Sequence, residues 1–273
     1  MTFDIGRFGI WKRAADVTAG LASTVEEIGY GALWIGGSPS GDLAIVEEAL
    51  AATETISIAT GIVNMWREDA GTVAESFHRI EKRHPGRFLL GVGIGHPEST
   101  SEYRNPYDTM VEYLARLHEA DVPADHLVLA ALGPKALRLS AERTAGSHPY
   151  FTTPRHTRIA REIVGAGVLL APEQTVVVDG DADRARDTAG RFAARYLGLV
   201  NYRNSLLREG WDQADLDAGG SDRLIDGVVL TGSVDHLAAG ITAHMEAGAD
   251  HVCIQDLGPD PESGYRALAE VLL

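Results

Sequence analysis

Three short stretches of this sequence carry residue types suited to holding or working on a ligand. The first is Gly91-Val92-Gly93-Ile94-Gly95-His96. Glycines at alternate positions leave no Cβ between backbone and ligand, so a flat molecule can lie against the chain. The same glycines would equally serve to fill a tapered barrel interior. His96 follows, and an imidazole titrates near neutral pH, so His96 is the candidate acid or base; a purely structural hydrogen bond from it is the competing reading. The second stretch is Ala130-Ala131-Leu132-Gly133-Pro134-Lys135. Pro suits the first position of a helix, and the free N–H groups of such a turn suit a phosphate, with Lys135 adding charge. The third is Thr60-Gly61-Ile62-Val63-Asn64-Met65-Trp66, whose Asn64 can hydrogen-bond and whose Trp66 can stack on a ring, or merely anchor the loop.

Other chemistries find little support. The spacing of the first stretch is wrong for a dinucleotide fingerprint, and it does not sit in the first strand–helix unit. No His-x-Glu-x-x-His or Cys-x-x-Cys spacing occurs, so no metal is expected. No Gly-x-Ser-x-Gly elbow is present, and Cys253 lies in an apolar run, a poor place for a nucleophile. Of the ten histidines, His96 and His148 fall at strand ends and can face a barrel mouth. His78, His118, His156 and His244 lie in helical patterns and are expected to face solvent.

These stretches need a scaffold, and the apolar pattern supplies one. Short apolar runs alternate with helical patterns along the whole chain. The runs are Phe8–Trp11, Ala32–Ile35, Ile56–Val63, Phe88–Gly95, Leu127–Leu132, Pro149–Phe151, Thr175–Val178 and His251–Gln255. Helices are expected with Val17, Leu21, Val25 and Ile28 on one face, with Val73, Phe77 and Ile80 on another, from about Pro134 and Pro154, and at the C-terminus with Tyr265, Leu268 and Leu272. Eight runs joined by helical crossovers predict a parallel sheet closed as a (β/α)₈ TIM barrel, one domain over residues 1–273. The stretch between the seventh and eighth runs is too long for one crossover. It predicts an insertion over the barrel mouth, with helices near Ala182–Tyr196 and Asn201–Glu209 and a Gly/Asp-rich loop at Asp215–Asp222. Catalytic groups of such a barrel sit at the C-terminal ends of its strands.

Composition agrees. The 273 residues are 45% hydrophobic and 23% charged, ordinary for a globular chain. The net charge of −15 disfavours nucleic acid and anionic membrane as partners, and no basic stripe offsets it. One cysteine forbids an intrachain disulfide, and no stretch reads as a signal peptide or a membrane span, so a cytoplasmic location is expected.

The chain also resembles a known family, the luciferase-like flavin/deazaflavin oxidoreductases, and within it the coenzyme F420-dependent branch. The resemblance is carried by Gly29-Tyr30-Gly31-Ala32-Leu33-Trp34-Ile35-Gly36, by Ala59-Thr60-Gly61-Ile62, and by His84-Pro85-Gly86-Arg87-Phe88-Leu89-Leu90-Gly91-Val92-Gly93. It continues through Leu132-Gly133-Pro134-Lys135, Ala141-Glu142-Arg143, Ser147-His148-Pro149-Tyr150, Leu169-Leu170-Ala171-Pro172-Glu173-Gln174, Leu197-Gly198-Leu199-Val200-Asn201-Tyr202 and Gly248-Ala249-Asp250-His251-Val252-Cys253. It implies a homodimeric TIM barrel that binds F420 in its mouth, with FMN as the alternative cofactor. It further implies a bulge at the Gly61–Ile62 peptide, cis or otherwise strained, behind the ring, and a cofactor phosphate near Gly133. The cofactor contacts expected are Gly61, Ile62, Asn64, Gly93, Ile94, Gly95, His96, Ala130, Leu132, Gly133, Pro134 and Lys135. Trp11, Trp66 and His148 are expected to line a substrate space. Two departures stand out: Gly36-Gly37 occupies the end of the second strand, where many relatives carry Asp-His, and His96 replaces the Glu of the sugar-phosphate dehydrogenases. The expected activity is hydride transfer between F420 and a small organic substrate. An FMN-dependent monooxygenase and a non-catalytic cofactor-binding protein are the alternatives.

Overall fold

A computed structural model describes residues 4–95 and 105–273. In chain order the first half contains β1 (Phe8–Arg13), α1 (Ala19–Ile28), β2 (Ala32–Gly36), α2 (Ala44–Ala51), β3 (Ser57–Gly61), β4 (Val63–Asn64), α3 (Ala70–Arg83), β5 (Phe88–Gly93), α4 (Pro106–Glu119) and β6 (Leu127–Leu129). Then come α5 (Pro134–Arg143), β7 (Gly146–Ser147), α6 (Pro154–Val164), β8 (Leu169–Leu170), β9 (Glu173–Val177), α7 (Ala182–Leu197), α8 (Val200–Glu209), α9 (Gln213–Leu216), α10 (Asp222–Val228), β10 (Val229–Thr231), α11 (Val234–Glu246), β11 (Val252–Asp256) and α12 (Pro261–Leu272).

Local chemistry sets many of these boundaries. The Thr18 side chain accepts from Leu21 N–H to open α1, and Gly29, at φ 106°, ends it. Asp69 caps α3, whose buried face carries Val73, Phe77 and Ile80, and Lys82 and Arg83 lie at its negative end. Pro134 occupies the first turn of α5 and Pro154 that of α6, where a missing N–H costs nothing.

All strand pairs are parallel, in the order β10-β9-β11-β1-β2-β3-β5-β6-β7-β8, with β4 also on β5. The segment from β8 through β9 curls the sheet shut. Ala171 N–H donates to Ser147 C=O and Glu173 N–H to Pro149 C=O, both at 2.9 Å, on one side; on the other, Cys253 N–H donates to Pro172 C=O at 2.9 Å. The result is the expected α/β barrel.

Strand β2 shows how the core divides. Leu33 and Ile35 join the layer between strands and helices, while Ala32 and Trp34 face the barrel axis with Ala59, Leu89, Val128 and Cys253. Strands covered on both faces read as continuous apolar runs for this reason.

Three sequence expectations need correction. The sixth strand is Gly146–Ser147, not Pro149–Phe151. A β-carbon on Gly146 would overlap the Leu169 carbonyl, so this glycine permits the strands to meet, whereas Pro149 has no N–H to give a ladder. The seventh strand begins at Leu169, well before Thr175. His156 and His244 are buried, at 3% and 0% exposure. His156 Nε2 bonds the Leu132 carbonyl at 3.0 Å, and His244 bridges Thr157 Oγ1 at 2.7 Å and Gln174 Oε1 at 2.9 Å. Both therefore act as polar pins between packed elements. The region after β9 holds α7, α8, α9 and α10, and also β10, a short strand the sequence pattern does not reveal. Among the described residues no helix is long and apolar enough to cross a membrane.

Candidate functional site

A cavity of about 730 Å³ opens at the C-terminal ends of the strands. Its floor comes from the barrel. Trp11 ends its strand's buried stretch, Gly61 and Ile62 leave β3, and Ile94 and Gly95 leave β5. The peptide between Gly61 and Ile62 is cis. Asn64 also lines the cavity, and its Oδ1 accepts from Trp66 N–H at 2.9 Å. The facing wall carries Ala130, Leu132, Gly133 and His148. The insertion closes the cavity from above: α7 contributes Phe192, Arg195 and Tyr196, and α8 contributes Asn201, Tyr202 and Arg208.

Several expected contacts lie elsewhere. Gly93, Pro134, Lys135 and Trp66 are not in the cavity wall. Gly93 is packed under Ala130 and Ile62, where a β-carbon would meet the Ala130 methyl at 2.8 Å. Pro134 and Lys135 border an adjoining apolar groove with Gly133, Pro106 and Met110. His96 lies outside the described residues.

Below the cavity runs a column of ring side chains. Trp34 Nε1–H donates to His251 Nε2 at 3.0 Å, and His251 Nδ1–H donates to the Gly6 carbonyl at 2.8 Å. The Trp34 ring stacks on His148 with centroids 4.3 Å apart. His148 Nδ1–H donates to the Ala171 carbonyl at 2.8 Å. Burial lowers the pKa of His148 to about 4, against a small upward pull from the Ala171 bond, so the ring is neutral at physiological pH. Its Nε2 and the Trp11 Nε1 are buried without a hydrogen-bond partner among the described residues. Both stand 2.8 Å from the position where a Gly61 β-carbon would begin. The indole itself is seated by Gly36, where a β-carbon would overlap its ring. The glycine at the end of β2 thus makes room for Trp11.

Tyrosines flank this floor. Tyr150 O–H donates to Gln255 Oε1 at 2.7 Å, so the 3.1 Å contact between the Tyr150 and Tyr196 hydroxyls is donated by Tyr196. Burial pushes the Tyr150 hydroxyl well above its ordinary pKa, and it keeps its proton. Beneath them Glu173 is buried at 1% exposure, accepting from Thr175 Oγ1 at 2.5 Å and from Phe151 N–H. Burial raises its pKa to about 8.

The wall is electrically unlike the rest of the molecule. It contains Arg13, Arg67, Arg195 and Arg208 and no aspartate or glutamate, in a chain of net charge −15. None of the four forms an ion pair with a carboxylate of the described residues. Arg208 matters most: its Nη2 lies 3.6 Å from where a Gly133 β-carbon would sit, so the guanidinium covers the start of α5. Arg208 follows from α8, which Glu209 ties down by accepting from Thr153 Oγ1 at 2.6 Å; burial lifts the Glu209 pKa to about 7. Sequence reading found the turn but missed its cation. Arginines from β1, the β4 loop, α7 and α8 share no spacing that would announce their convergence.

Comparison with known proteins agrees with this architecture. The model of the luciferase-like monooxygenase family matches residues 12–251. A 5,10-methylenetetrahydromethanopterin reductase of Methanolobus tindarius is 22% identical over 277 residues, spanning 81% of this chain and 84% of the reductase. An F420-dependent secondary alcohol dehydrogenase, solved with an F420–acetone adduct, superposes with a TM-score of 0.76 at 18% identity, covering 97% of each chain. The oxygenating constituent of 3,6-diketocamphane monooxygenase of Pseudomonas putida, solved with FMN, gives 0.67 at 15% identity over 97% of this chain and 96% of its own.

Proposed function

Because the chain belongs to the luciferase-like monooxygenase family, we propose that it is an oxidoreductase binding coenzyme F420 in the mouth cavity and moving a hydride between it and a small organic substrate. The observation that carries the reading is the cavity itself: a ring-sized space floored by a side-chain-free Gly61 and lined by four arginines without a carboxylate. The residues present fit a flat, anionic cofactor. Gly61 and Ile62 would back the ring, and Ile94, Gly95, Ala130 and Leu132 would border it. The first-turn N–H groups of α5, which no helical carbonyl reaches, would meet a phosphate with Arg208 beside them. When bound, F420 supplies a ring carbon that takes up or gives up a hydride, leaving the protein to bind, orient and manage a proton. The Tyr150 and Tyr196 hydroxyls and the Trp11 indole exclude water from the floor. His96 is the proposed acid or base.

The F420-dependent secondary alcohol dehydrogenase among the solved neighbours supports F420 as the cofactor. The FMN-bound neighbour supports the second reading, an FMN-dependent monooxygenase on the same scaffold. Competitive titration with F420 and FMN, followed by absorbance and fluorescence, separates them. Tighter F420 binding is the expected result, and equal or tighter FMN binding would overturn it. The homodimer suggested by the family resemblance is tested by light scattering, where a monomer at working concentration would exclude it.

A further inference from the structure

The arginines of the insertion divide by where they stand. On α7, Arg184, Arg186 and Arg191 each lie within ion-pair distance of an aspartate, and on α8 Arg203 pairs with Asp217 at 2.8 Å. Arg195 near the end of α7 and Arg208 near the end of α8 line the cavity instead, as does Arg13 at the end of β1. None of these three guanidiniums has a carboxylate or hydrogen-bond partner among the described residues. Acidic partners are not scarce, since 39 aspartates and glutamates face 24 lysines and arginines. The three cations do not share one side of the mouth. Arg208 covers the start of α5 beside Gly133, which follows β6. Around the closed sheet β1 is separated from β6 by β2, β3 and β5 one way, and by β11, the β8–β9 segment and β7 the other, so Arg13 stands across the mouth from Gly133. Arg195 belongs with Arg13. The Trp11 ring of β1 lies 5.2 Å from the ring of Tyr150, whose hydroxyl meets that of Tyr196 at 3.1 Å, and the Arg195 guanidinium is 6.0 Å from the Tyr196 ring. The charges of Arg195 and Arg13 both reach the Tyr196 hydroxyl. A cofactor with its phosphate at Gly133 and its ring on Gly61 and Ile62 spans the mouth from β6 to β3. The arc at β1 and β2 is left over, and Gly37 and Ser38, which line it, fill little of it.

We infer that Arg13 and Arg195 bind an oxyanion, a carboxylate or a phosphate, carried by the substrate itself. The substrate is accordingly an anionic small molecule, with its charged end on the β1–α7 side of the mouth and its reacting carbon toward the ring over Gly61. Both arginine side chains are exposed, so their donors are open to an incoming anion. A guanidinium presents paired N–H groups that match either oxyanion. The field of a chain of net charge −15 repels anions from a distance, and unpaired cations at the mouth reverse that field locally. A cationic substrate would meet two uncompensated charges of its own sign. The inference rests on the cavity being the active site of the proposed oxidoreductase, but not on which cofactor that enzyme uses.

Calorimetric titration of the full chain with benzoate, phenyl phosphate and neutral benzamide tests this. At least one of the two anions is expected to bind, roughly tenfold or more tighter than benzamide, with an affinity that falls as salt rises. Which of the two binds more tightly tells carboxylate from phosphate. Arg13→Gln and Arg195→Gln should each weaken that anion by about tenfold, the worth of a hydrogen bond to a charged group. Both variants should keep the parent's melting temperature and its F420 affinity. Arg208→Gln should do the reverse, weakening F420 and leaving the anion in place. Failure of both anions to bind, equal binding of benzamide, or full anion affinity in either variant would each overturn the inference. So would a loss of F420 affinity in Arg13→Gln or Arg195→Gln, which would assign these arginines to the cofactor. The F420 titration also keeps the two readings apart. Anion binding that depends on Arg13 and Arg195 without F420 binding sinks the cofactor assignment alone, and F420 binding without anion binding sinks the oxyanion receptor alone.

Discussion

His148 and Gly61 are so close that a β-carbon on Gly61 would meet the His148 Nε2 at 2.8 Å, with the Trp11 Nε1 equally near. The floor of the cavity is thus closed by two ring nitrogens and opened by one missing side chain. Gly61→Ala should push both rings away and narrow the floor. The expected outcome is a loss of about 1–3 kcal/mol of stability from overpacking, seen in thermal melts, and at least a tenfold weaker F420 affinity. An alanine variant that binds F420 as the parent does would show that the floor is not part of the binding site.

Gly36 and Trp11 give a second test of the same floor. A β-carbon on Gly36 would overlap the Trp11 ring, so Gly36→Ala must displace the indole. The fluorescence of Trp11 should shift toward that of an exposed indole, and stability should fall by about 1–3 kcal/mol. Unchanged emission and melting would mean that the indole has another seat.

The third prediction concerns Gly133 and Arg208. A β-carbon alone would fit at Gly133, but the branches of valine would press on the Arg208 guanidinium 3.6 Å away. Gly133→Val should weaken F420 while leaving the fold intact. Arg208→Gln should weaken it too, and should flatten the dependence of affinity on salt, because screening acts on the charge it removes. Lys135→Ala should do less than either, since Lys135 borders the neighbouring groove and not the cavity. Fluorescence titrations at two ionic strengths check all three. Full affinity in Gly133→Val would leave the turn as only a turn.

Glu173 makes stability depend on pH in a stated direction. Its pKa is raised by burial from 4.5 to about 8. Between those values the folded protein holds a proton that the unfolded chain has lost, so raising the pH through this window favours unfolding, by at most about 1.4 kcal/mol per pH unit for one group. Buried His148, His251 and His244, with pKa values lowered to about 4, 4 and 3, act oppositely and stabilise as pH rises toward 6.5. Above 6.5 the histidine effect is gone, and Glu173 acts in the same direction as Glu209, whose pKa is raised to about 7. Glu173→Gln, which has no proton to lose, should therefore gain stability relative to the parent as pH rises from 4.5 to about 8, and the difference should then level off. Denaturant midpoints across pH 5–9 measure it; a difference that does not vary with pH would show Glu173 to be ionised in the fold.

What the sequence determined by itself is what depends on neighbours along the chain. Alternating apolar runs and helical periods were enough for the barrel, because parallel strands buried on both faces must be apolar throughout. Pro134 at a helix start, Gly29 at a helix end and the Gly61–Ile62 peptide were legible because each reports local backbone requirements or a short motif. What only the tertiary structure decided depends on residues far apart in sequence. The helical pattern put His156 and His244 toward solvent, but the carbonyl of Leu132 and the side chains of Thr157 and Gln174 made burial affordable for them. Gly36-Gly37 departs from the Asp-His of many relatives, and only the structure shows that Gly36 makes room for the Trp11 indole of the neighbouring strand. The meeting of Arg13, Arg67, Arg195 and Arg208 has no sequence period at all. Closure of the barrel and the fold of its insertion bring them together, and their charge prevails there because the acidic remainder of the molecule is screened within about 8–10 Å.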